Sequence, residues 1–223
     1  WNSLLSPFLA GSPQPAGPGT QQVCIGWTGT GDVPPFGTGT GIGALTLSNA
    51  SSIAWNWKTQ VLLTAAAGPN GGVTASNGWY DLGTPGVVVS ATPSNGYRFV
   101  SWSGTVTSTN NPLVLTMIQA HNLTATFALN LYPVVATAGP NGAILPSGTN
   151  LVGHGSNIAF TLFPNPSYHV SNVVVDAVGI GPTGSYTFAN VVPDPTIYVF
   201  FAHDPVALLV TATFGEQRWW ASA

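Results

Sequence analysis

The string Ala-Gly-Pro-Asn-Gly stands at residues 67–71 and recurs, 71 positions later, at 138–142. The same spacing carries Tyr97, in the segment ATPSNGYRFVSW, onto Tyr168, in LFPNPSYHVSNV. The segment ends correspond too: NLTATFA (122–128) matches TIYVFFA (196–202) after a small insertion. A chain written twice over in this way is a row of like modules, each one supersecondary unit. The spacing predicts repeat A over 59–130 and repeat B over 131–203.

Within repeat A, alternating apolar and polar residues bounded by turn signals predict six short strands, near 61–67, 72–76, 86–93, 97–103, 113–117 and 122–128. Leu123, Ala125 and Phe127 point one way, and Asn122, Thr124 and Thr126 the other. In Pro-Asn-Gly the proline presets φ and the glycine accepts a positive φ. Pro and Gly recur too often to leave room for helices. The expected fold is all-β, in tandem small β-sandwich or β-grasp-like modules.

Residues 1–58 read as a partial third copy. CIGWTGTGDVPPFGTG parallels FVSWSGTVTSTNNP and sets Trp27 against Trp102. SSIAWNWK parallels NLTATFAL and sets Ile53, Trp55 and Trp57 against Leu123, Ala125 and Phe127. This first module has the later strands of a repeat and is incomplete at its N-terminal strands. The tail, 204–223, holds the reverse: LLVTATFGE (208–216) parallels VLLTAAAGP (61–69), with Gly215 on Gly68. Carried forward, the register sets Trp1 against Trp79.

These residues resemble the divergent bacterial repeat related to the internalin B-repeat. Its pattern is an Ala-Gly-Pro-Asn-Gly turn, then Gly-Tyr-Arg-Phe-Val-x-Trp-Ser-Gly, Asn-Asn-Pro and Leu-Thr-Ala-x-Phe. Repeat A carries these at 67–71, 96–104, 110–112 and 123–127; repeat B keeps the turn, Tyr168 and Phe201 but has Val173 in place of Trp102. The resemblance implies a bacterial surface or secreted protein whose repeats act as spacers or adhesive modules.

Charge narrows the function. Charged residues make up 4% of the 223 residues, with a net charge of -3, against about 25% in an ordinary protein. Lys58, Arg98 and Arg218 cannot form the basic stripe that nucleic acid requires, nor the polybasic cluster that recruits an anionic membrane. Two readings fit so uncharged a surface: a naturally polar or glycosylated one, or one buried in an assembly. No apolar run is long enough for a membrane-spanning helix. The start at Trp1 suggests a removed signal peptide, or equally a cut chain, and an extracellular or cell-surface location. Cys24, the sole cysteine, admits no intrachain disulfide and predicts a buried thiol.

No constellation for chemistry emerges. His121, His154, His169 and His203 stand in separate segments, which predicts turn or surface histidines rather than a metal centre. There is no Gly-x-Ser-x-Gly elbow, and GTGTGIG (37–43) fits neither nucleotide-binding glycine pattern. The expectation is a non-enzyme without catalytic, metal or cofactor sites. Trp27 and Trp102, at equivalent repeat positions, read as core residues.

The surplus strand and the deficient module are complementary. An unpaired sheet edge invites strand addition. Leu208, Val210, Ala212 and Phe214 lie on one face of the tail, with Trp219 and Trp220 as further anchors. The acceptor would comprise Trp1, Trp27, Ile53, Trp55 and Trp57. Burying three or four such side chains contributes roughly 1.5–3 kcal/mol each, against about 4–15 kcal/mol for association. Ladder hydrogen bonds and the tryptophans would tip that balance. Donor and acceptor at opposite ends of one chain make the contact head-to-tail, which yields an open filament unless the rotation closes. The expected partner is therefore the chain itself, in a homopolymer. The alternatives are a monomer closed by its own tail, a fragment of a longer adhesin or spacer, and a module binding surface glycans through its tryptophans.

Overall fold

The structure, a computed structural model, describes residues 3–9, 11–193 and 195–205. These residues form twenty strands and no helix. Contacts divide the chain into two compact units, Trp1–Asn130 and Leu131–Ala223.

The first unit opens with β1 (Ser3–Leu5), β2 (Gln14–Gly17), β3 (Thr20–Thr30), β4 (Phe36–Gly37), β5 (Leu45–Leu47) and the long β6 (Ser52–Ala67). It continues with β7 (Gly71–Ala75), β8 (Gly78–Asp81), β9 (Val87–Pro93), β10 (Tyr97–Gly104), β11 (Leu113–Leu115) and β12 (His121–Leu129). Strands β2, β3, β4, β6, β8, β10 and β12 make one seven-stranded sheet, and β7, β9 and β11 a second. The two sheets bury one core between them. Val61, Leu63, Ala65, Trp102, Leu123 and Ala125 come from the first; Val87, Val89, Ala91, Leu113 and Leu115 come from the second. The strict alternation of β9, with Val87, Val89 and Ala91 inward, is the period of a half-buried strand. Of the two architectures expected, the sandwich is the one built.

The second unit repeats the plan. Its strands are β13 (Leu131–Ala138), β14 (Gly142–Leu145), β15 (Gly148–Gly153), β16 (Ile158–Pro164), β17 (Tyr168–Val175), β18 (Val178–Gly181), β19 (Ser185–Phe188) and β20 (Thr196–His203). One sheet runs β15-β13-β20-β17-β18 and the other β14-β16-β19. Val134, Ala136, Val173, Ile197 and Val199 from the first meet Ile144, Phe160, Leu162 and Phe188 from the second.

Three details differ from expectation. The repeats hold a strand not foreseen, β8 in the first and β15 in the second, each antiparallel to the opening strand. The Ser-Asn-Gly before β8 reads as loop, yet Asn77 clamps Ala65, accepting from its amide and donating to its carbonyl at 2.8 and 3.1 Å. The boundary expected at 58/59 falls inside β6, which passes unbroken from the N-terminal segment into repeat A. In Pro-Asn-Gly the left-handed residues are Asn70 (φ 70°) and Asn141 (φ 74°), not the glycines. Asparagine tolerates that region; the glycines serve another purpose, since a Cβ on Gly71 or Gly142 would overlap the ring of Phe127 or Phe201.

A second asparagine clamp holds the loop before β11. Asn111 accepts from the Ala91 amide at 2.8 Å and donates to its carbonyl at 2.7 Å. Asn111→Ala removes both bonds and leaves two partly buried backbone groups without partners. The expected loss is about 1–3 kcal/mol, read as a lower urea midpoint with an unchanged slope.

Candidate functional site

Strand β6 has two edges with different fates. Gln60 and Val61 each pair with both β3 and β8, so those two strands flank β6 on opposite sides. Leu63 likewise pairs with Gly78 of β8 and with His121 of β12. On one edge, therefore, β3 and then β12 follow end to end. On the other, β8 covers only Gln60–Leu63. Among the described residues no strand pairs with Ser52–Lys58 on that second edge.

The direction of the unused backbone groups follows from strand geometry. The Thr59 carbonyl accepts from the Leu82 amide on the β8 side, and the Leu62 amide donates to Gly19 on the β3 side. Alternation along a regular strand then turns the amides and carbonyls of Ile53, Trp55 and Trp57 toward the open edge. Their side chains are half-buried. Trp55 lies opposite Trp27 on β3, the rings edge-to-face at 6.1 Å, and Trp57 lies opposite Cys24. The buried Cys24 thiol approaches the carbonyls of Gly26 and Gly39.

The pairing around this edge reproduces that of the repeats. Strand β3 skips Ile25 as a bulge, and Trp27, two residues on, faces Trp55. Strand β10 skips Val100, and Trp102 faces Ala125; β17 skips Ser171, and Val173 faces Val199. Strand β1 pairs with β5, Leu5 opposite Leu45, much as β9 pairs with β11, Val87 opposite Leu115. In both repeats the strand equivalent to Ile53–Trp57 has a parallel neighbour on its other side: β6 beside β12, and β13 beside β20.

Packing around the first module is thin. Cys24, Trp27 and Val33 are buried, while Leu4, Phe8 and Phe36 are largely exposed, and none of these residues joins the core of repeat A. The Trp102 indole donates to the Asn110 carbonyl at 3.1 Å. The equivalent Nε1 of Trp27 is buried with no acceptor among the described residues, a costly state for a polar group. Sequence reasoning missed that orphan donor, because it depends on what the loop after β3 does and not on the tryptophan.

The remaining candidates fall elsewhere. Trp1, Leu208, Val210, Ala212, Phe214, Trp219 and Trp220 lie outside the described residues. Trp27 and Trp102 are 7% and 0% exposed, so neither offers a face for stacking on a sugar. His121, expected at the surface, is 5% exposed. It lines a cleft of about 420 Å³ where the start of β3 meets the start of β12, its Nδ1 3.3 Å from the Thr105 hydroxyl. The burial arises because β12 begins between β6 and the Thr105 turn, and the apparent turn residue becomes its first ladder residue. His169 pairs with Asp204 at 2.9 Å in the open.

One carboxylate shapes the first module. Asp32 accepts from the backbone amide of Asn49 (2.6 Å), from its side-chain amide (2.9 Å) and from the Ser48 amide. These bonds, those of Asn49 foremost, lower its pKa to about 2. A folded-state pKa below the unfolded one means the contribution is complete above the usual carboxylate range and lost as pH falls through about 2. An NMR titration of the Asp32 carboxyl carbon should have its midpoint near pH 2; an ordinary midpoint would show that the clip is not formed.

Comparison with known proteins gives one family. The divergent InlB B-repeat domain matches twice, over residues 61–131 and 132–217. The second match runs past β20, and residues 211–214 repeat the Thr-Ala-Thr-Phe of 124–127. The segment after β20 thus carries the pattern of a closing strand as well as that of an opening one, although β20 already fills the place beside β13. No curated protein and no solved structure matches the chain. With two tandem copies spanning most of its length, all-β and built on one pairing plan, the chain belongs to the divergent InlB B-repeat domain family.

Proposed function

We propose that this chain is the subunit of an extracellular filament assembled head to tail, in which the 206–220 segment of one copy completes the N-terminal module of the next. The observation that carries the reading is the open edge at Ser52–Lys58, beside a module whose β1, β3, β5 and β6 pair like the later strands of a repeat. The orphaned Trp27 donor and the exposed Leu4, Phe8 and Phe36 mark the same module as short of partners. The tail supplies alternating Leu208, Val210, Ala212 and Phe214, the pattern of a strand with one apolar face.

Docking in another copy is favoured by where the chain leaves the first unit. From Trp55 along β6 to Ala67, across to Ala125 and on to Leu129, the strand path covers roughly 50 Å. The end of β12, where the chain leaves the first unit, therefore lies far along the sheet from the open edge. A polymer held by backbone ladders and apolar side chains needs few charges, and its assembly is not weakened by the screening of charges.

The test is electron microscopy and sedimentation of the full chain against a variant lacking residues 206–223. Filaments are expected from the first and a monomer with an unchanged circular dichroism band from the second. Filaments from the truncated chain, or a full chain that stays monomeric at every concentration, would remove the proposal and leave a surface or spacer repeat protein.

A further inference from the structure

Both repeats solve the problem of closing their main sheet in one register. In the first, Leu123 lies beside Ala65 and Ala125 beside Ala67, and the Gly68 amide donates to the Ala125 carbonyl at 2.8 Å. In the second, Ile197 lies beside Ala136 and Val199 beside Ala138, and the Gly139 amide donates to the Val199 carbonyl at the same distance. The glycine matters: a Cβ on Gly68 would sit 2.8 Å from the Ala125 carbonyl oxygen, and one on Gly139 3.2 Å from that of Val199. The opening strand thus ends on a residue whose missing side chain leaves room for the carbonyl of the neighbouring strand.

The bulge register identifies the equivalent residues at the open edge. Trp27, Trp102 and Val173 each follow the bulged residue by two and face Trp55, Ala125 and Val199. Trp55 therefore holds the acceptor position, its carbonyl turned outward. In the 206–223 segment only Gly215 is a glycine, and it follows the apolar alternation as Gly68 follows Val61, Leu63 and Ala65.

We infer that residues 208–215 of a second copy add to the open edge parallel to β6, with Val210 beside Ser51, Ala212 beside Ile53, Phe214 beside Trp55, and the Gly215 amide donating to the Trp55 carbonyl. This rests on the filament reading and adds its direction, register and terminating contact. Phe214 and Trp55 replace the small pair Ala67 and Ala125, so the added strand covers aromatic surface at a place where the repeats have little.

Three double-cysteine variants of the full chain test it, each oxidised under filament-forming conditions: Ile53→Cys with Ala212→Cys, Ile53→Cys with Val210→Cys, and Ile53→Cys with Phe214→Cys. Side chains directly beside one another in a sheet meet the geometry a disulfide needs, and those two residues along do not. The expected result is a covalent ladder of oligomers from the first pair alone. A ladder from either of the others, with filaments still present, overturns the register and leaves the filament. A cross-linked monomer from the first pair shows docking within one chain and overturns the second copy as occupant. No filaments and no ladder from any pair, nor filaments from the parent, remove the filament reading itself. Gly215→Val serves as the second readout: its monomer keeps the parent's circular dichroism, and filament formation falls at least tenfold. Unchanged filaments from it would refute the glycine contact.

Discussion

Trp102→Ala lowers the stability of the first unit by about 3–5 kcal/mol, the range of a large aromatic deleted from a packed core. Trp102 is fully buried, its ring 5.5 Å from that of Phe99. It faces Ala125 across the sheet, a residue too small to fill the void. The change also strips the Asn110 carbonyl of its donor, while the backbone bridge between Trp102 and Ser108 remains. Trp102→Phe separates these effects: it keeps most of the volume, loses the donor, and should cost about 1–3 kcal/mol. Trp27→Ala should cost less than Trp102→Ala, because its neighbour Trp55 is half-buried and its donor has no acceptor among the described residues to lose. Urea denaturation read on the transition of the first unit measures all three. A Trp102→Ala protein within about 1 kcal/mol of the parent would show that this indole does not organise the core.

The second large effect is expected at a residue with no side chain. Gly71 lies under the ring of Phe127, and Gly142 under that of Phe201. Neither backbone is left-handed, so what opposes alanine there is the ring alone. Gly71→Ala forces Phe127 off its site and should cost roughly 1–3 kcal/mol, the usual range for overpacking; Gly142→Ala repeats the effect in the second unit. Combining Gly71→Ala with Phe127→Ala should cost clearly less than the sum of the two single changes, because the second change removes the clash that the first creates. Strict additivity in that cycle would mean the ring and the glycine do not meet.

What was legible in the sequence was whatever repeats. The 71-residue spacing aligned Tyr97 with Tyr168 and Gly68 with Gly139, and the structure sets the tyrosines in equivalent strands and the glycines just past the ends of equivalent ones. The strand alternation was readable because one face of each strand is buried. Less legible were features decided by contacts distant in sequence. The strand Gly78–Asp81 is short and lies among turn residues, and its ladder to β6 exists because β6 passes beside it. His121 looked like a turn residue because its burial depends on β6 and Thr105. The glycine of Pro-Asn-Gly seemed to serve the turn, when the ring of Phe127, more than fifty residues on, dictates it. At the open edge the apolar residues Ile53, Trp55 and Trp57 were readable. Which of their backbone groups face outward was not, since that needs the pairing of Thr59 and Leu62 with their neighbours.

Strand β6 runs for sixteen residues, Ser52–Ala67, without a break between the first module and repeat A. Tension applied along the chain would travel through this strand as covalent backbone and never cross a hinge. To extend it, the ladders to β3 and β12 would have to slip lengthwise, many hydrogen bonds failing together, instead of peeling open one after another. A filament of the proposed kind, jointed by strands like this one, would resist pulling by shear, as a rope fibre spliced into the next resists where a knotted one would give.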